Sequence, residues 1–399
     1  MTKRRAAFVA RRKACGFSQE SFAQALGVEL TTAGRWERGQ VTPQPWRRAR
    51  IAELLDVSRD ELESLLHPVG PVDQPLVSRR EVMVDAAMLT GATMVDHVLG
   101  KPSQPSGSPV ATAVARVHAD YQAARYGHVA QVLPMVASSV ESLIHEGPGS
   151  QRRDALRLRC SLSIAKAKLA NKTGDSDTAT AAAATALSAA DAADDEFGRA
   201  AAAHQMTCAL ISSGEHDEAE RLAVASAEAI RGRDPESLSW RGALILISAI
   251  VAARRNDLAE STRRLDHAED LADQLGADGN FGWTAFGPTN VQIHRLSAAV
   301  DLGDPYRSLA MAEYIDITGL PVGLRGRQAQ YHLDSAWAHV QLGEDSRAVI
   351  HLLETERVAD ELVRANPNAR ALIQDLLARE HRRTVPGLRG LAMRTGVAA

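Results

Sequence analysis

Apolar positions along this chain recur mostly at the three- and four-residue spacing of amphipathic helices, and the whole sequence reads as all-α. Over the first sixty-six residues the apolar runs are short and closely punctuated. A first helix is expected from about Thr2 to Cys15, stopped by Gly16. Ser18 is a good N-cap for a second, which carries Phe22, Ala23 and Leu26 on one face and stops at Gly27. A third spans roughly Leu30 to Arg38. Ala33 and Trp36 face inward on it, so Thr31, Thr32 and Arg35 face outward. After a PQP turn, Trp46 to Leu55 and Asp60 to Leu66, the latter capped by Ser58, complete five helices.

Residues 67–109 break the pattern. HPVGPVDQPLVSRR and KPSQPSGSP flank one short apolar helix at 81–99, which makes this segment a linker that tethers the front without fusing it to the rest. From Val110 onward the chain repeats. Gly174, Gly214, Asn256, Gly303 and Gly343 each follow an apolar helix and precede an acid. A small residue stands five positions later in every copy: Ala179, Ala219, Ser261, Ser308 and Ala348. The steps are 40, 42, 47 and 40 residues, the rhythm of stacked helix pairs. Gly127 marks a degenerate earlier copy, and a terminal helix is expected near Asn368 to Arg383.

Charge divides the chain the same way. Residues 1–50 hold eleven Lys or Arg against three acids, a net of +8, so the other 349 residues carry −11 of the total −3. A basic front on an acidic body points to a polyanionic partner for the front alone. Only 6 of the 46 basic residues are Lys, a bias of GC-rich genomes of actinobacterial type. Cys15, Cys160 and Cys208 are too few and too scattered for a disulfide framework or a zinc site, which fits a reducing cytoplasm. No apolar run reads as membrane-spanning. SRREVMVDAAMLTGATM, from Ser78, imitates a twin-arginine export signal, but it is internal and broken by Glu81 and Asp85.

The order GFSQESFAQALGV, RWERG, PQPWRRARIAELLDVSRDEL resembles the lambda-repressor and Cro-like, or XRE, helix-turn-helix domains over about residues 5–66. The resemblance implies that Ala23 is the small residue at the helix crossing and that Gly27 makes the turn. It also implies that Glu37 is held by a first-helix arginine, here Arg12. The third helix would enter the major groove of an operator and show Thr31, Thr32 and Arg35 to base edges. Gln19, Arg38, Arg47, Arg48 and Arg50 would position it on the phosphates. Glu29 departs from the family, which usually has Ser or Thr there. The structural alternative is a solvated basic face.

The repeats resemble tetratricopeptide repeats stretched beyond their usual length, an α-solenoid whose first helices would line a groove for an extended peptide or protein. His204, Trp240, Asn290, His294, Arg325 and Gln330 fall on those helices, and Trp283 and Phe286 lie in the irregular stretch GNFGWTAFGPTNVQIH. The alternative is that these aromatics fill a gap at an irregular turn. No catalytic motif stands out, so the chain is expected to be no enzyme and to need no cofactor or metal. Taken together it resembles peptide-sensing regulators with an XRE head and a tetratricopeptide body. The expected protein is cytoplasmic and nucleoid-associated, a homodimer on an inverted-repeat operator, with a peptide, small-molecule or protein ligand. The rival readings are an interaction scaffold and a partner-controlled antitoxin or phage-type repressor.

Overall fold

The computed structural model describes residues 5–28, 30–40, 42–66, 108–146, 149–380 and 385–397, and among these every regular element is a helix. Five helices open the chain: α1 (Ala6–Ala14), α2 (Gln19–Ala25), α3 (Leu30–Glu37), α4 (Pro45–Leu54) and α5 (Arg59–Leu66). Their ends follow from local chemistry. Gly16, Gly27 and Gly39 all have positive φ, the backbone that stops a helix. Ser18 Oγ accepts from the Ser21 amide at 2.9 Å. Ser58 Oγ accepts from the Glu61 amide while the Glu61 carboxylate accepts from the Ser58 amide, a reciprocal capping box. Phe8, Phe22, Trp36, Ile51, Leu55 and Leu62 meet in one small core.

Six helix pairs follow. They are α6 (Pro109–Gln122) with α7 (Tyr126–Glu146), α8 (Gly149–Thr173) with α9 (Ser176–Ala193), and α10 (Glu196–Ser213) with α11 (His216–Ala229). Next come α12 (Pro235–Arg254) with α13 (Leu258–Leu275), α14 (Pro288–Leu302) with α15 (Pro305–Ala312), and α16 (Arg325–Leu342) with α17 (Asp345–Val358). The repeat marks do the work their spacing suggests. Gly174, Gly214, Asn256, Gly303 and Gly343 are all left-handed. Ala179, Ala219, Ser261, Ser308 and Ala348 are each 1% exposed or less, so the helices of a pair cross at a small side chain. The first copy departs from the reading. Gly127 lies inside α7, and Ala124 takes the left-handed position (φ 60°) in its place. Val129, five residues beyond Ala124, fills the crossing.

The first helices of successive pairs pack side by side, and each second helix lies between its own first helix and the next. The stack expected to form a solenoid then closes on itself: α16 returns to pack against α6. Tyr126 shares a core with Leu296 and Trp337, and the Gly127 amide donates to Glu361 at 2.6 Å. The end pairs thereby cover each other's apolar faces. One apolar helix also differs from expectation. α12 is long and apolar enough to cross a membrane by length and composition, but most of it is buried among its neighbours, as a core helix is. Three short helices end the described chain: α18 (Asp360–Ala365), α19 (Pro367–Arg379) and α20 (Leu388–Thr395). α19 corresponds to the expected terminal helix and packs on both α16 and α4. The expected linker helix at 81–99, the export-like stretch and Glu29 lie outside the described residues.

Candidate nucleic-acid interface

The helix-turn-helix is held from inside by buried polar groups. Arg12 Nε donates to Glu37 Oε1 at 2.6 Å, both side chains 5% exposed. Gln19 Nε2 donates to the other Glu37 oxygen at 2.8 Å, so α1, α2 and α3 are tied through one carboxylate. Arg5 donates to the carbonyls of Leu66 and Trp36 at 2.7 and 2.8 Å. Burial lowers its pKa to about 10, which leaves it cationic at neutral pH. Pairing of this kind fixes where α3 points, because a misplaced helix would strand a buried charge.

The outward positions of α3 are as its spacing suggests. Thr31 and Arg38 are exposed, and Thr32 and Arg35 half-buried. Arg38 Nε donates to Gln40 at 3.1 Å. Arg50 is exposed and pairs with Glu53 at 2.6 Å on its own helix. Gln19 is committed to Glu37.

Arg35, Arg47 and Arg48 are placed differently from a free basic face, because the head packs against the body. Arg35 Nη2 donates to the Gln341 carbonyl at 3.1 Å. Arg47 donates to the Asp301 carbonyl at 3.0 Å, and its neighbour Gln44 to the Val300 carbonyl at 2.7 Å. Arg48 Nη2 lies 3.3 Å from Asp375, with side chains 4% and 6% exposed, and Arg48 Nη1 reaches Glu63 at 3.2 Å. From the body, Arg379 donates to the Gln40 carbonyl at 3.4 Å.

The docking surface has a definite character. Val300 and Asp301 lie in the last turn of α14, and Gln341 in the last turn of α16. Those turns carry carbonyls without an intrahelical partner and the negative end of the helix dipole. With the Asp375 carboxylate, they offer arginines what a phosphate backbone offers: oxygens in a field of negative charge. The sequence shows the arginines but hides this use, since the same guanidinium suits a phosphate, a carbonyl or a carboxylate.

Beneath the head, the first helices enclose a lumen. A cavity of about 190 Å³ lies between α12, α14 and α16, with Gln44 of the head in its wall. His294 and Gln330 line it. His294 Nδ1 donates to the Asn290 carbonyl at 2.8 Å, and Gln330 donates to Asp334 at 2.9 Å. The other groove candidates sort into different places. Asn290, Trp240 and Phe286 are buried core residues. Phe286 fills space that Gly242 leaves, since a Cβ there would stand 2.1 Å from its ring. Trp240 lies against Gly282, where a Cβ would come within 2.3 Å of the indole nitrogen. Trp283 reaches across to stack on His118 of α6 at 5.3 Å. His204 is bonded to Gln205 at 3.0 Å, and Arg325 is exposed. The irregular stretch is therefore largely a packing device.

Lys168, Lys172, Arg327 and Asp334 escaped the reading. The available signal was composition: three of the six lysines, Lys166, Lys168 and Lys172, fall within α8. Burial lowers Lys168 and Lys172 to about 8 and raises Asp334 to about 7. Among the described residues no cluster of His, Cys, Asp or Glu could hold a metal.

Residues 6–65 match the family described as a helix-turn-helix domain. Over 51 residues the chain is 42% identical to an uncharacterized HTH-type transcriptional regulator, YazB, of Bacillus subtilis (strain 168). That alignment covers 13% of this chain and 74% of that protein. With α2 and α3 in the geometry described above, the chain belongs to the XRE-like helix-turn-helix family of DNA-binding transcriptional regulators.

Proposed function

We propose that this protein is a sequence-specific transcription regulator whose helical body holds its DNA-reading head until a ligand or partner shifts the balance. The observation that carries the reading is the double use of the basic face. Arg35, which this reading assigns to a base edge, and Arg47 and Arg48, which it assigns to the backbone, are engaged by carbonyls of α14 and α16 and by Asp375. DNA and body then compete for one set of cations. A ligand controls that competition only if it binds the two arrangements with different affinity.

The body is a ring of tetratricopeptide-like pairs on this reading, and the protein divides into a head at 1–66, a linker at 67–109 and a repeat domain at 110–399. A single head covers one half-site, so a cytoplasmic homodimer on an inverted repeat is the expected working form. Thr31, Thr32 and Arg35 read bases, while Arg38, Arg47, Arg48 and Arg50 meet phosphates once the head is released.

Operator selection from random duplexes with the full chain, followed by titration of the selected site, tests the reading. Arg35→Ala is expected to weaken the selected site by about 1–3 kcal/mol and to relax preference at one base pair. Equal losses on selected and random DNA would remove Arg35 from base reading.

A further inference from the structure

We propose that the lumen of the ring binds a compact anion, a small molecule carrying a phosphate or carboxylate group, held by Lys172 and Arg327 with Lys168 beside them. The proposal rests on the regulator reading only in giving the body a ligand to sense.

Three cations of the first helices stand near one another, and of these Arg327 lines the cavity, whose wall also carries Asp334 and an Arg254–Asp301 pair at 3.2 Å. Lys168 and Lys172 are four apart on α8 and share a face. Arg327 projects from α16 into the wall of the cavity. They lie close enough to act on one another. Burial is the largest cause of the lowered pKa of both lysines, and the charge of Arg327 is the next. By surface area all three are only half-buried.

Their partners do not balance their charge. Lys168 donates to the Trp283 carbonyl at 3.2 Å. Among the described residues, the side chains of Lys172 and Arg327 make no hydrogen bond or ion pair. The one carboxylate that acts on Lys172 is Asp334, which already accepts from Gln330 and Ser297. Arg327 also stands in the first turn of α16, which has no acid and no side-chain cap. A cation there opposes the helix dipole. A buried cluster of like charge costs stability unless something neutralises it. An anion bound at Arg327 would do so, its oxygens accepting from the guanidinium and lying in the field of the two ammonium groups.

Volume decides the size of the ligand. About 190 Å³ is below the usual range of pockets for drug-sized ligands, and it does not hold an extended peptide while the head is in place. Gln44 of the head is part of the cavity wall, so the site and the head share a wall.

Isothermal titration calorimetry of the full chain tests the site, with inorganic pyrophosphate and citrate as separate probes. One saturable site per chain is expected for at least one probe, and which one binds separates phosphate from carboxylate. Arg327→Gln and Lys172→Gln should each weaken it by about tenfold or more. Arg357→Gln, at an exposed arginine of α17 paired with Glu354, should leave it unchanged. Thermal unfolding without anion is the second measurement: Arg327→Gln should melt at or above the wild-type temperature, since it removes an unpaired charge. Failure of both probes to saturate at millimolar concentration overturns the proposal. So does binding that survives both substitutions, which would place the anion on the basic head. A lower melting temperature for Arg327→Gln would give that guanidinium a structural acceptor and overturn it too. No DNA is present, so this result and the operator titration fail independently.

Discussion

The head and the lumen both bury cations and treat them in opposite ways. In the head, Arg5, Arg12, Arg47 and Arg48 are each fastened to carbonyls or carboxylates. In the body, the side chains of Lys172 and Arg327 make no hydrogen bond or ion pair among the described residues, and Arg327 lines the cavity. A saturated cation holds a structure in place. An unsaturated one is a standing cost that a ligand can relieve. The difference assigns the arginines of the head to folding and docking, and the cations of the body to binding.

The sharpest test of that contrast is to remove one cation from each region. Arg12→Ala leaves Glu37 buried with only Gln19 beside it, and should cost about 3–5 kcal/mol in urea unfolding of the head. The corresponding change at Arg327 should cost nothing. Equal losses at the two positions would erase the distinction.

The buried acid of the lumen gives a smaller effect with a definite sign. Burial raises Asp334 to about 7 despite the pull of Lys172 and two donated hydrogen bonds. An acid raised in the folded state is penalised once ionised, so the penalty is absent near pH 4, grows through pH 7 and is complete above it. Asp334→Asn should therefore stabilise the protein by on the order of 2 kcal/mol at pH 8, and the gain should vanish near pH 4. A gain independent of pH would show that packing, and not ionisation, sets the cost at this position.

Much of this could be read in the chain. Local devices are legible because they depend on a few adjacent residues. The caps at Ser18 and Ser58, the stops at Gly16 and Gly27 and five of the repeat marks all belong to that class, whereas the Arg12–Glu37 tie, 25 residues apart, was legible only through the family resemblance. The sixth failed for a local reason as well: Ala124, a residue with no left-handed signature, took the place expected of a glycine. Closure of the ring was not legible, because it depends on small rotations summed over six helix pairs. Nor was the docked head. Arg35, Arg47 and Arg48 carry no mark that distinguishes a phosphate from the carbonyls at the end of α14. The lumen cations were hidden for a similar reason, since Lys168 and Lys172 read as ordinary helix residues until α16 brings Arg327 opposite them.

The most direct measurement is fluorescence anisotropy of the full chain on labelled DNA from upstream of its own gene and on a random duplex, at several salt concentrations. Wild type and Asp375→Ala would be compared. Asp375 lies in the body and faces Arg48 at 3.3 Å, so its removal loosens the docked head without altering α3. The expected result is a preference for the upstream duplex that survives physiological salt, with Asp375→Ala binding about tenfold tighter and keeping the same preference. Equal affinity of the two proteins for the upstream duplex would contradict a head held by its body, and equal, salt-labile binding to both duplexes would leave charge as the only attraction.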